Sequence, residues 1–366
     1  MRILIFSVAY FPFVGGAEIA IKEITDRIPD LEFDLVTVNL DGRQPKQERI
    51  GKVNVYRIGR GQWGKYFFPI LGFLKGSKLH RQHSYQTVWA MMANYAGLAA
   101  LFFKLFHPQT RYVLSLQEGD PIDYIKRRAR LIYPLFKMIF TRANLVQVIS
   151  HHLGRFAREM GYQGEIAVIP NGVDLEKFSE PQIVSVSKPP GEIYLITTSR
   201  LVKKNAVRDI IEALVYLPEN IKLLIIGSGE LESQLKQQTA DNHLENRVQF
   251  LGQKSYSELP GYLQISDIFI RPSLSEGMGN SFIEAMTAGV PVIATPVGGI
   301  VDFLIDGETG LFCQPNEPTS IVVAINKYLT DIELRQAVIS RAKEVVKERY
   351  LWDDIALKMR YNLASL

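Results

Sequence analysis

Ser275-Glu276-Gly277-Met278-Gly279-Asn280-Ser281-Phe282-Ile283-Glu284-Ala285-Met286 joins a loop to a helix and sets two carboxylates eight positions apart. The apolar run Ile268-Phe269-Ile270 in front of it reads as a buried strand, and the pattern from Ser281 to Ala288 reads as a helix start. Glycines between them let main-chain N–H groups approach a ligand with no Cβ in the way. A helix N-terminus presents unpaired donors and the positive end of a dipole, so an anion, above all a phosphate, is the expected occupant. Glu276 then stands beside that anion on the loop, and Glu284 one turn into the helix. Two acids next to a phosphate make sense if each holds a hydroxyl-rich group, and a sugar nucleotide has hydroxyls on both sides of its diphosphate. A purely local reading stands beside this one. Ser281-x-x-Glu284 fits a capping box, in which Glu284 reaches back to the N–H of the cap. Glu276 has no comparable local task.

Outward from this joint, apolar runs alternate with amphipathic helical stretches. The first half carries Ile3–Phe6, Leu35–Val38, Val53–Tyr56, Thr87–Met91, Tyr112–Ser115 and Leu145–Ile149; the second carries Ile193–Thr197, Leu223–Ile226, Val248–Leu251 and Val292–Ala294. Such runs between helices indicate parallel strands buried on both faces. They predict an α/β chain of two doubly wound, Rossmann-like domains, each binding its ligand at the carboxyl ends of its strands. The break falls near Ile169-Pro170-Asn171-Gly172-Val173-Asp174, which gives domains of 1–172 and 173–349 and a tail of about 350–366. A second irregular stretch, from Ser185 to Gly191, precedes the first strand of the second domain.

The length of 366 residues favours two domains, and 47% hydrophobic with 22% charged residues is an ordinary globular composition. A single cysteine, Cys313, excludes an intrachain disulfide and points to a reducing compartment, the cytoplasm. The opening Met1-Arg2-Ile3-Leu4-Ile5-Phe6 reads as a strand rather than a signal peptide, and no stretch is long enough to span a membrane. The net charge of +4 hides an asymmetry: residues 1–175 hold 23 Lys and Arg against 14 Asp and Glu, and residues 176–366 hold 19 against 24. No metal-ligand spacing and no Asp-x-Asp motif is present, so neither metal nor other cofactor is expected. Gly227-Ser228-Gly229 lacks the third glycine of a dinucleotide fingerprint, which argues against NAD. Nothing accompanies the charge that would mark a nucleic-acid binder.

With Glu284-Ala285-Met286-Thr287-Ala288-Gly289-Val290-Pro291-Val292-Ile293-Ala294 and Gly298-Gly299 following Glu276-Gly277-x-Gly279, the joint resembles the retaining glycosyltransferases of family 4. The resemblance covers essentially the whole chain. It implies the GT-B architecture, two facing Rossmann-like domains with the C-terminal helix crossing back to the first. It also implies a metal-independent sugar transfer from a nucleoside diphosphate sugar, UDP- or GDP-linked, to a glycan or lipid-linked acceptor in cell-surface polysaccharide or glycolipid synthesis. On this resemblance Glu284 holds the ribose, and Glu276 the sugar hydroxyls near the reacting carbon. Arg200, Lys204 and the N–H groups from Gly279 through Asn280 to Ser281 bind the diphosphate. Gly277, Met278, Gly227, Gly229, Gly15 and Gly16 line the donor.

The family has Arg followed by Lys five positions on; this chain has Asn205 there, with Lys204 one earlier. Where many relatives carry His-Gly it has Gln117, then Glu118 and Asp120, which become the candidates for orienting or deprotonating the acceptor hydroxyl. Their bland alternative is a capped helix start with acids in its first turn. Two basic, aromatic stretches read as surfaces for an anionic membrane, 124–143 as a basic amphipathic helix and 64–81 as a second patch, or as core residues with a solvated basic face. Two other readings of the chain stay open, a non-catalytic scaffold at the membrane and another GT-B enzyme such as a sugar-nucleotide epimerase.

Overall fold

The computed structural model describes residues 1–365 apart from 181, 183 and 185, so the irregular stretch expected from Ser185 begins outside the described residues. The chain divides into two compact units, Met1–Gly172 together with the segment from Trp352 onward, and Val173–Leu351.

In the first unit the strands are β1 (Arg2–Phe6), β2 (Glu32–Val38), β3 (Gln47–Ile50), β4 (Val53–Ile58), β5 (Thr87–Met91), β6 (Arg111–Leu116), β7 (Leu145–Val148) and β8 (Ile166–Val168). They form one sheet in the order β3-β4-β2-β1-β5-β6-β7-β8, parallel except for β3. In the second unit β9 (Ile193–Thr198), β10 (Ile221–Ile226), β11 (Val248–Gly252), β12 (Ile268–Arg271), β13 (Val292–Ala294) and β14 (Leu311–Phe312) form a parallel sheet ordered β11-β10-β9-β12-β13-β14. Chain order reverses between β1 and β5 in one sheet and between β9 and β12 in the other. In a doubly wound sheet the loops leaving such a strand pair diverge and open a ligand crevice.

Helices cover both faces, so the strands are apolar throughout: Ile3, Leu4, Ile5, Phe6, Leu195, Ile196, Ile268 and Phe269 are fully buried. The Trp352–Ala364 helix belongs to the core of the first unit. Trp352, Ile355, Ala356, Met359 and Leu363 pack with Ile3, Ile21, Ile24 and Phe33. Arg360 pairs with Asp30 at 2.6 Å, and Thr87 Oγ1 donates to the Leu363 carbonyl at 3.1 Å.

The expected basic helix over 124–143 is not one helix. The chain forms a helix Ile122–Arg128, a 3₁₀ turn Arg130–Ile132 and a second helix Tyr133–Thr141. Pro134 lacks the N–H and clashes with a preceding turn, so it belongs at a helix start and forces the break. Among the described residues no helix is long and apolar enough to cross a membrane.

Candidate functional site

Both motif loops of the second unit leave the strands at its switch point. β9 and β12 are paired neighbours, Phe269 opposite Ile196; Ser199–Asn205 follows β9, and Pro272–Gly279 follows β12. The two loops are tied together, with the Leu274 N–H donating to the Lys204 carbonyl at 2.6 Å. Arg200 is exposed, Lys204 half-exposed and Asn205 buried. The Asn205 Nδ2 donates to the Arg200 carbonyl at 2.7 Å. The family's lysine position thus carries a residue that closes the Arg200 loop.

Two glycines explain how the loops are seated. A Cβ on Gly227, at φ +136°, would lie 1.9 Å from the Ser199 carbonyl oxygen, and one on Gly298, at φ +60°, would lie 1.9 Å from the Glu276 carbonyl oxygen. Each glycine lets a turn press directly on the main chain of a motif loop. Gly229 likewise approaches Leu201, whose N–H donates to the Ser228 carbonyl at 2.9 Å.

The helix after the second loop runs Asn280–Thr287 with Gly279, at φ 88°, as its N-cap and no side-chain cap. Ser281 is therefore not the cap, and the capping-box reading fails. Its Oγ accepts from Arg271 Nη1 at 2.7 Å. Glu284, set free of that local task, is 8% exposed. Burial pushes its carboxyl up to about 7, against the pull of Arg271 and Lys177. Glu276, also 8% exposed, turns one oxygen to the Gly277 N–H at 3.0 Å and the other to the Arg271 guanidinium, with which it is ion-paired. Met278 is buried, so any contact it makes with a donor runs through its main chain.

Arg271, which sequence reasoning passed over, is the hub of this joint. Its Nε donates to Ser273 Oγ at 3.1 Å, and its guanidinium lies 5.0 Å from the Phe282 ring centroid. Burial lowers it to about 10; Glu284 works against that and nearby Arg200 adds to it. Lys177, on the short Leu175–Ser179 helix, is a second basic neighbour of Glu284 and stands 4.0 Å over the Tyr256 ring. Two acids and three cations, Arg271, Arg200 and Lys177, thus converge where the strand order reverses.

In the first unit, Gly15 is the N-cap of the Gly16–Asp26 helix that follows β1, and a Cβ there would stand 2.9 Å from a Glu18 carboxylate oxygen. Gln117 and Asn171 exchange amide hydrogen bonds at 3.0 and 3.1 Å. The helix start expected at Glu118 and Asp120 comes later, at Ile122, so neither acid lies in its first turn. Instead Glu118 folds inward at the end of β6. One oxygen accepts from the Ala93 N–H at 2.5 Å, and the other is buried with no hydrogen-bond partner. Burial raises Glu118 to about 7, and Asp120 adds to the rise. An acid poised near neutrality can take or give a proton at working pH. Among the described residues no three His, Cys, Asp or Glu come together as a metal site.

Both perturbed acids carry a stability cost with a definite sign. Folded Glu284 and Glu118 keep their protons up to about pH 7, against an ordinary glutamate value of 4.5. The folded state therefore binds more protons between those values, and each group's contribution falls as pH rises through that window. Glu284→Gln and Glu118→Gln are each expected to raise the melting midpoint at pH 8 by about 2–4 °C, and to leave it nearly unchanged at pH 4. Equal shifts at both pH values would contradict the assignment.

Known proteins match the chain along its length. The family described as Glycosyltransferase Family 4 matches residues 14–177, and the one described as Glycosyl transferases group 1 matches residues 179–345. The N-acetyl-alpha-D-glucosaminyl L-malate synthase of Bacillus anthracis is 25% identical, over 93% of this chain and 91% of its own. Sucrose-phosphate synthase from Thermosynechococcus elongatus shares the fold at a TM-score of 0.85 and 21% identity, over 98% of this chain and 97% of its own. Anabaena HepE in complex with UDP-glucose shares it at 0.82 and 20%, over the whole of both chains. Two doubly wound units and two family matches, one to each half, lead to one conclusion: the chain belongs to the group 1 glycosyltransferases of the GT-B fold, enzymes that use nucleotide sugars.

Proposed function

We propose that this glycosyltransferase moves a sugar from a UDP- or GDP-sugar to a glycan or lipid-linked acceptor, with retention at the anomeric carbon and without a metal. The observation that carries this reading is the joint after β12, where Glu276 and Glu284 are both buried beside Arg200 and Arg271. In the reaction the bond from the anomeric carbon to the diphosphate breaks and a bond to the acceptor oxygen forms. The acceptor proton goes to a base, and the nucleoside diphosphate leaves with its added charge. Arg200, Lys204 and the start of the Asn280–Thr287 helix would stabilise that charge in place of a metal, a kind of electrostatic contribution that is often the largest in catalysis. Glu284 would accept from the ribose hydroxyls and Glu276 from the sugar hydroxyls, while Gln117, Glu118 and Asp120 would serve the acceptor.

Calorimetric titration with UDP, GDP and ADP in the presence of chelator tests the donor assignment. One nucleotide should bind without metal and bind about tenfold more weakly to Glu284→Ala. Binding of none would remove the reading.

A membrane-associated acceptor is supported by the Gly64–His83 helix. Tyr66, Phe67, Ile70, Leu71 and Leu74 on it are exposed, as are Trp63 before it and Phe106 on the Tyr95–Phe106 helix. Leu131, in the turn ahead of the Tyr133–Thr141 helix, is 92% exposed. Between Arg49 and Gln117 the sequence contains no Asp or Glu, so all of these apolar side chains but Leu131 lie in a wholly basic stretch. Apolar insertion and attraction to anionic lipid then act together. Vesicles containing phosphatidylglycerol should retain the protein at low salt and release it at high salt. Phe67→Ser with Ile70→Ser should weaken retention by tenfold or more. Equal retention by phosphatidylcholine vesicles would contradict this.

A further inference from the structure

Arg271 closes β12 and is 8% exposed. A cation so deeply placed is costly unless every part of it is used. Here each of its three nitrogens has a partner: the guanidinium pairs with Glu276, donates to Ser273 Oγ at 3.1 Å and to Ser281 Oγ at 2.7 Å, and faces the Phe282 ring. These partners lie on three successive pieces of chain, the loop before the acid, the acid itself, and the first turn of the helix that bears Glu284. Strand burial alone does not require this, because Ile268, Phe269 and Ile270 fill the same strand with apolar side chains.

Glu276 shows the consequence. Its carboxylate is held from both sides, by the Gly277 N–H and by Arg271. A carboxylate on a loop would otherwise sample several rotamers, at a cost in entropy each time a ligand is bound. Held this way it presents fixed lone pairs, which is the preorganisation that transition-state binding needs. The same guanidinium offsets the charge of Glu284, so two neighbouring buried acids are tolerated.

We infer that Arg271 is a positioning residue for sugar transfer, fixing the Glu276 carboxylate for the donor without itself touching it. This rests on the donor-side role proposed for Glu276. A double-mutant cycle tests it, using wild type, Arg271→Met, Glu276→Gln and the double variant, with turnover of the nucleotide sugar that the calorimetric panel selects. Arg271→Met should lose about a hundredfold in kcat while the nucleoside diphosphate Kd stays within about threefold, because the nucleotide alone does not need Glu276. The double variant should be about as slow as Glu276→Gln, since a residue acting through another adds nothing once that other is gone. Arg271→Lys should recover part of the loss; a lysine keeps the charge but not the planar fork that serves three partners.

If Arg271→Met does not fold, Arg271→Lys and Ser281→Ala carry the test. Both should lower kcat several-fold with the nucleotide Kd held. Losses that multiply in the double variant, or a kcat within threefold of wild type in folded Arg271 variants, would overturn the inference alone. A wild type that turns over no nucleotide sugar would instead remove the proposed function and this inference with it.

Discussion

Glu276→Ala should lose at least about a thousandfold in turnover while its unit stays folded and still binds nucleoside diphosphate. The magnitude follows from what the side chain would do, which is to accept from sugar hydroxyls whose polarity grows as the sugar departs; removing one preorganised partner of that kind costs about 10²–10³. Alanine removes more than the contact, because Arg271 then loses its ion-pair partner in a site where both side chains are 10% exposed. Leaving one member of a buried pair alone costs about 3–5 kcal/mol, so a lowered melting midpoint should accompany the kinetic loss. Glu276→Gln separates the two effects. It keeps volume and a hydrogen-bond acceptor, so it should recover much of the stability and little of the turnover. Turnover equal to wild type in the folded alanine variant would remove Glu276 from the reaction and leave the joint kept for shape alone, whereas no turnover by wild type would restore the scaffold reading.

Most of the fold was legible because each buried parallel strand is a short apolar run, and the runs at Ile3, Leu35, Thr87, Ile193, Leu223, Ile268 and Val292 all became strands. What escaped notice was what lacks that signature. β3, Gln47-Glu48-Arg49-Ile50, is a polar antiparallel edge strand with alternating exposure, and β14 has only two residues. The basic stretch after Tyr124 looked like one helix because charge and apolar spacing persist through it, whereas Pro134 restarts the helix. The site was legible as a motif but not as a network. Arg271 ends an apolar run ahead of Pro272, and nothing local distinguishes it from a solvated strand end. Its partners, five and ten residues on, become neighbours only when the loop turns back over the strand. Asn205 looked like a lost lysine and is the clasp of the Arg200 loop. Lys177 had no signal at all, since it reaches Glu284 from a helix more than a hundred residues earlier in the chain.

Gly298→Ala should be among the most damaging small substitutions in the second unit, although it lies outside the joint and adds a single methyl group. Its Cβ would fall 1.9 Å from the Glu276 carbonyl oxygen and 2.9 Å from the carbonyl carbon, which no rotamer can relieve because the clash is with main chain. The φ of +60° adds the usual left-handed penalty of about 1–2 kcal/mol. To make room, either the Glu276 loop or the Gly298-Gly299 turn must move. That displacement gives up the Gly299 N–H bond to the Glu276 carbonyl, 3.1 Å long, and shifts the carboxylate away from Arg271. A loss of at least about 3 kcal/mol in stability is expected, with turnover falling about a hundredfold or more, since a misplacement of about 1 Å has that effect. Gly307→Ala is the control. It has φ +76° but nothing within 4 Å of a new Cβ, so it should show the backbone penalty alone and keep wild-type turnover. If the two variants behave alike in melting and in kcat, the turn does not seat Glu276. If only Gly298→Ala loses turnover, then the glycine pair behind the two acids is there because a carbonyl must be approached closely to aim the carboxylate beyond it. Gly227 against the Ser199 carbonyl repeats the geometry for the Arg200 loop, so Gly227→Ala should fail in the same way.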